Sequence, residues 1–214
     1  KSSPRWGSTR RCWPATRPSP VLTATTERPR GPGRPSTGAR ERVLEAATET
    51  LLEDGYAGLT YAKVAVRAGE NKSLISYYFG SRPKLVASVA EIVGERITAA
   101  VVAELVEVES VEKIAEGMVT GLWQVMDDDP RVARLYFDLS AVSVVDDEIR
   151  AGLHRVKERW REVISGYLET AGVDPSEVPA AATFLMAGVQ GLAIERLEGY
   201  DPIRLEAARQ LFIR

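Results

Sequence analysis

The stretch from Leu59 to Leu85, LTYAKVAVRAGENKSLISYYFGSRPKL, holds the side chains of this 214-residue chain whose types and spacing could do chemistry. Lys72, Ser73 and Ser76 stand at a spacing that puts them on one side of a helix. An ammonium and two hydroxyls so arranged suit the edges of bases in a DNA major groove. Hydrolytic and metal chemistry have no comparable cluster. The chain has one cysteine, Cys12, and one histidine, His154, which gives no internal disulfide, no multi-cysteine metal site and no paired histidines. It carries no Ser/His/Asp motif and no phosphate-cradling glycine loop. The triplet Asp127-Asp128-Asp129 reads as a helix end followed by an N-cap. Neither an enzyme nor a bound cofactor is expected.

Such a polar set needs a frame. Val64, Ala65 and Ala68 form the inner face of a short helix that Thr60 caps, and Ile75 and Phe79 form that of a second, capped by Asn71. Ala68-Gly69 supplies the tight turn between them, since glycine takes positive φ without a steric penalty. A preceding helix shows the apolar stripe Val43, Ala46, Ala47 and Leu51 and is expected to stop at Gly55. Two short helices joined by a glycine turn and packed on an amphipathic helix form a helix-turn-helix unit. The spacing alone leaves open a helical hairpin that never meets DNA.

Further helix starts follow. Ser81 with Pro83 opens a long helix to about Glu107, Ser110 opens another to about Met126, and Asp146 caps an amphipathic helix that ends at Gly172. Asp129-Pro130, Asp174-Pro175 and Asp201-Pro202 repeat one device, in which Asp accepts first-turn amides and Pro pre-sets the turn. The expected fold is all-α, with about nine helices and no strands.

On these residues the chain resembles the TetR family of transcriptional regulators. The resemblance runs over residues 39–85 through Thr60, Val64-Ala65, Ala68-Gly69, Lys72 to Ser76, Tyr77-Tyr78-Phe79 and Arg82. It implies that Lys72 and Ser73, with Ser76 beside them, read base edges, that Tyr77, Tyr78 and Arg82 clamp phosphates, and that Thr60 offers phosphate its hydroxyl and a helix N-terminus. For Tyr78, half-buried packing is the alternative. Two positions depart from the family pattern: Glu70 stands where valine is usual, and Ser76 where tyrosine is frequent. Glu70 either favours the dipole of the recognition helix or repels phosphate.

The resemblance also implies a DNA-binding domain over residues 38–84 and a ligand-sensing, dimerising domain over residues 85–214. The implied function is a ligand-responsive repressor that binds a palindromic double-stranded DNA operator as a homodimer and answers to a small hydrophobic effector. A DNA-binding activator or architectural factor whose body only dimerises is the alternative. A helical module that binds another protein is a third reading. Trp123, Met126, Tyr136, Phe137, Trp160, Tyr167, Phe184 and Met186 are candidates for a pocket as well as for plain core, with His154 a pocket polar group or a surface residue. A small-residue face around Gly188 and Gly191, beside Leu185, Val189 and Leu192, is apolar nearly all round, so a partner chain is expected to cover it.

Charge is unevenly spread. Residues 1–40 carry a net +8, residues 41–94 a net −1 and residues 95–214 a net −9, within an overall −2. This suggests a basic end facing nucleic acid and an acidic body. Residues 1–37, rich in Pro, Ser, Thr, Gly and Arg, read as a disordered extension. Within them Arg28 to Pro35 form a cationic arm, either a minor-groove reader or a plain linker. Residues 1–20 read as sequence upstream of a start at Val21, the alternative being a genuine basic tail. No apolar run reaches the ~18 residues that span a bilayer, so no membrane association and a cytoplasmic location are expected.

Overall fold

The computed structural model describes residues 38–106, 108–199 and 201–214. The extension over residues 1–37, with its basic arm and the start expected at Val21, lies outside the described residues. Among the described residues there are nine helices and no strand: α1 (Ala39–Gly58), α2 (Tyr61–Ala68), α3 (Lys72–Phe79), α4 (Arg82–Glu104), α5 (Val111–Asp128), α6 (Pro130–Val142), α7 (Asp147–Thr170), α8 (Val178–Glu198) and α9 (Pro202–Ile213).

Most starts are fixed by a side chain that accepts from an otherwise unpaired first-turn amide. Thr60 accepts from Lys63 N at 3.2 Å, Asn71 from Leu74 N at 2.8 Å and Ser81 from Lys84 N at 3.3 Å. Asp129, Asp146 and Asp201 do the same for α6, α7 and α9. Asp174 differs from expectation. It accepts from both the amide and the hydroxyl of Ser176 within a turn, and α8 begins only at Val178, behind Glu177 and without a side-chain cap. Gly55 differs too: it kinks α1 at φ 67° and ψ −176°, and the helix resumes to Gly58.

One continuous core runs from Val43 and Leu51 of α1 through Val64, Ile75 and Leu85 into the body. The central strut is α4, which packs on α1, α3, α5, α6 and α7. Its contact with α7 is close because each helix gives a glycine to it. A Cβ on Gly152 would lie 2.7 Å from Ala87 Cβ, and one on Gly94 would lie 2.4 Å from Val156 Cγ1. Ion pairs of Arg155 with Glu91 (2.8 Å) and Arg159 with Glu95 (3.2 Å) flank that seam.

Contrary to the expectation about apolar runs, α8 is long and apolar enough to cross a membrane by length and composition. In the fold Val178, Leu185, Met186, Val189 and Leu192 are buried, with α8 packed on α5, α6, α7 and α9. Only a third of that apolar stretch is buried, and the rest forms an exposed outer face.

Candidate nucleic-acid interface and internal cavity

Burial of Ile75 and Phe79 orients α3 on α1, α2 and α4, and Gly69, at φ 66° and ψ 29°, makes the turn that leads into it. That packing leaves Lys72, Ser73, Ser76 and Tyr77 exposed together, Tyr77 to 72 %. Ser73 Oγ donates to Asn71 Oδ1 at 2.6 Å, which anchors the hydroxyl at the start of the helix. Among the described residues no carboxylate pairs with Lys72, whereas Lys63 and Arg67 of α2 are matched by Asp54 (3.1 Å) and Glu53 of α1. Glu70 pairs with Arg42 of α1, so its carboxylate is compensated within the protein rather than turned toward phosphate.

Two of the residues named above do not share that surface. Tyr78 is half-buried, its ring edge-on to Tyr77 (5.4 Å between centroids) and to Phe79 (6.5 Å), and it packs on the core. Arg82 is turned inward. Its Nε donates to Leu59 O at 3.1 Å, an Nη donates to Tyr56 O, and the guanidinium lies 4.2 Å from the centroid of the Tyr56 ring. These carbonyls lie where α1 ends and α2 has not begun, Tyr56 O also accepting from Leu59 N at 3.4 Å, and a planar fork of donors reaches both at once. Exposed Thr60 stands beside a hollow lined by Ala57, Leu59, Tyr61, Gly80, Ser81 and Arg82, at which both α2 and α4 begin. Among the described residues the buried Tyr61 hydroxyl has no hydrogen-bond partner, and burial raises its pKa.

Sequence reasoning missed Asp138 of α6. Its Oδ2 accepts from Tyr56 N at 2.7 Å, at the kink where Gly55 takes positive φ and a Cβ would sit tightly, 3.2 Å from that oxygen. The single residue Tyr56 is thus held by its amide from α6 and by its carbonyl from α4.

Those two helices also bound a partly open cavity of ≈ 60 Å³, lined further by α5, α7 and α8. Tyr136, Phe137 and Trp160 line it, together with Thr98, Met118, Met186 and Gln190. Burial pushes the Tyr136 phenol up to about 12. The other pocket candidates lie elsewhere, for helical reasons. Trp123 lies off the α5 face that presents Met118 and Leu122, 5.1 Å beneath the Arg196 guanidinium, whereas Met126 shares that face one turn beyond Leu122 and fills core. His154 follows inward Leu153 and so faces solvent. Phe184 precedes inward Leu185 and is 69 % exposed. Gln190, missed before, is the only polar side chain between Thr183 and Glu195, a signal the sequence carries.

The face expected to meet a partner chain also needs correction. Leu185, Val189 and Leu192 are buried inside the chain itself, and Gly188 abuts its own Phe212, whose ring would be 2.2 Å from an added Cβ. The outer face of α8 presents Ala180, Phe184, Ala187 and Gly191, and α9 adds exposed Ile203 and Leu211.

A helix-turn-helix with an exposed donor-rich second helix, set on a helical body, has the architecture of a DNA-binding regulator. Residues 43–89 match the model of bacterial regulatory proteins of the tetR family, and residues 109–214 match the tetracyclin repressor-like C-terminal domain. The chain belongs to the TetR family of transcriptional regulators and binds DNA. It is 27 % identical over 173 residues to the HTH-type transcriptional regulator CymR of Pseudomonas putida, covering 78 % of this chain and 84 % of that one. It is 26 % identical to BetI 1 of Chromohalobacter salexigens over 173 residues, covering 80 % and 85 %. A TetR-family regulator from Rhodococcus sp. superposes with a TM-score of 0.66 at 23 % identity, covering 83 % of this chain and 95 % of that one.

Proposed function

We propose that the chain is a ligand-controlled repressor that binds a palindromic operator as a homodimer. The carrying observation is that α4, which seats the recognition unit at one end, also walls the apolar cavity. Lys72 and Ser76 face base edges, Tyr77 lies along the sugar-phosphate backbone, and Thr60 with the first amides of α2 receives a phosphate. The exposed apolar residues of α8 and α9 meet their own copies across a two-fold axis, forming the self-complementary contact of a closed dimer. Two copies of α3 then enter half-sites about 34–36 Å apart. A small hydrophobic effector in the cavity displaces α4 relative to α6 and spoils that spacing. Sedimentation with DNA flanking the chain's own gene tests the reading: two chains per site are expected, released by a compound that raises the melting temperature. If every stabilising compound left DNA affinity unchanged, the body would only dimerise.

A further inference from the structure

We infer that Arg40 grips the DNA sugar-phosphate backbone, the role that inward-turned Arg82 leaves open, and so sets affinity rather than sequence choice. The inference rests on the reading that the exposed face of α3 enters the major groove.

Pairing inside the protein sets Arg40 apart from most neighbouring cations. Arg42 pairs with Glu70, Lys63 with Asp54 and Arg67 with Glu53. Lys84 has Glu148 at 3.8 Å, and Arg82 is committed to the carbonyls at the end of α1. Of the lysines and arginines in residues 38–85, that leaves Arg40 and Lys72 without a carboxylate or carbonyl partner among the described residues. A phosphate arriving at Arg40 therefore displaces no acid of the described protein.

Its position fits the task. Arg40 is exposed in the first turn of α1, and its guanidinium lies 5.3 Å from the centroid of the Phe79 ring. Phe79 is the last residue of α3, at the opposite end from Lys72. A helix of that length spans about 12 Å, and the major groove is about 12 Å wide. A recognition helix that presents its first residues to base edges thus brings its last ones near the phosphates bordering the groove. Exposed Tyr77, two residues before Phe79, stands at the same end.

Phe79 also holds the side chain ready. The ring is buried and therefore fixed, and a guanidinium lying over it is attracted to its face. Stacking through the face leaves the edge N–H donors available to fork onto two phosphate oxygens. The competing role is purely structural: a cation that packs on Phe79 and complements the C-terminal dipole of α3. Such a brace would act on stability and would be silent in the salt dependence of DNA binding.

The test uses the full chain and two duplexes of equal length, one from DNA flanking the chain's own gene and one of random sequence. Anisotropy is read across a salt series for the parent, Arg40→Gln and Arg40→Lys, with melting temperatures alongside. Arg40→Gln, which keeps a stem to pack on Phe79, should lower the slope of log affinity against log salt by about 0.9 per bound chain on both duplexes. At about 0.15 M salt the same counterion release corresponds to about a fivefold loss per chain, equal on the two duplexes. Arg40→Lys keeps the charge and should keep the parent slope. An unchanged slope in Arg40→Gln overturns the proposal and leaves Arg40 a brace on Phe79. A slope lost equally in Arg40→Lys, or a loss confined to the flanking duplex, overturns it as well. Lys72→Ala measured in parallel separates the two levels. If it loses affinity for the flanking duplex while Arg40→Gln is silent, the groove reading stands and Arg40 alone is dismissed. If both variants match the parent on both duplexes, α3 is not in the groove and the two readings fall together.

Discussion

Replacing Arg82 by methionine separates a residue that builds the reading head from one that grips phosphate. The guanidinium makes two hydrogen bonds to backbone carbonyls, at Leu59 and Tyr56, and stacks 4.2 Å over the Tyr56 ring. Hydrogen bonds from a charged donor contribute about 1.5–3 kcal/mol each, and the stacking about 0.5–1 kcal/mol. The side chain is only half-buried, so water recovers part of this when it is removed. A net loss of about 2–3 kcal/mol follows, which lowers the melting temperature by roughly 5–10 °C in a chain of this size. Calorimetry reads that shift, and anisotropy across a salt series reads the phosphate contribution. If Arg82 acts on the fold, the slope of log affinity against log salt stays within a few tenths of the parent value. Arg82→Lys separates the cases further: lysine keeps the charge but cannot bridge two carbonyls, so it should retain most of the stability loss. An unchanged melting temperature with a slope reduced by about 0.9, restored by lysine, would refute the reasoning and return Arg82 to the phosphate backbone.

Other outcomes follow from neighbouring observations. Asp138→Ala removes the acceptor for Tyr56 N (2.7 Å) and should speed hydrogen exchange at that amide about fivefold, a cost of about 1 kcal/mol at a solvated site; protection equal to the parent would dissociate α6 from the α1 corner. Lys72→Ala should lose about 1–3 kcal/mol at one base pair of the operator and much less on random DNA, as competition assays measure, and equal losses would remove it as a base reader. Gly191→Arg should give folded monomers by light scattering, because a Cβ there meets nothing in its own chain, and a persisting dimer would relocate the interface. Tyr136 holds its proton more tightly folded (pKa about 12) than in its ordinary range (10.0), so its contribution is intact below pH 10 and lost as pH rises toward 12. Denaturant titration should show about 2–3 kcal/mol of that loss flattened in Tyr136→Phe, and an unchanged pH dependence would mean that the ring is not held in an apolar site.

The frame was largely legible in the sequence because caps and apolar stripes are local. Thr60, Asn71 and Ser81 mark helix starts from their own neighbourhoods, and the outward set on α3 follows from the inward pair Ile75 and Phe79. Asp174 misled because an Asp-Pro-Ser stretch closes a turn on itself as readily as it caps a helix. What stayed hidden depends on which helix meets which. Arg82 has the position of a phosphate ligand, and only the meeting of α4 with the end of α1 turns it inward. Asp138 gives no local sign that it will find Tyr56, far away in sequence. Residues one step off an inward position, such as His154 and Phe184, are separable from pocket residues only once the buried side of each helix is known.

The central claim is that the exposed face of α3 reads a DNA site near the chain's own gene. Footprinting with the full chain tests it most directly, alongside the double variant Lys72→Ala/Tyr77→Ala, whose exposed positions leave the core untouched. The account predicts one protected palindrome for the parent and no protection at the same concentration for the double variant, with equal melting temperatures. Equal protection by both proteins would contradict it.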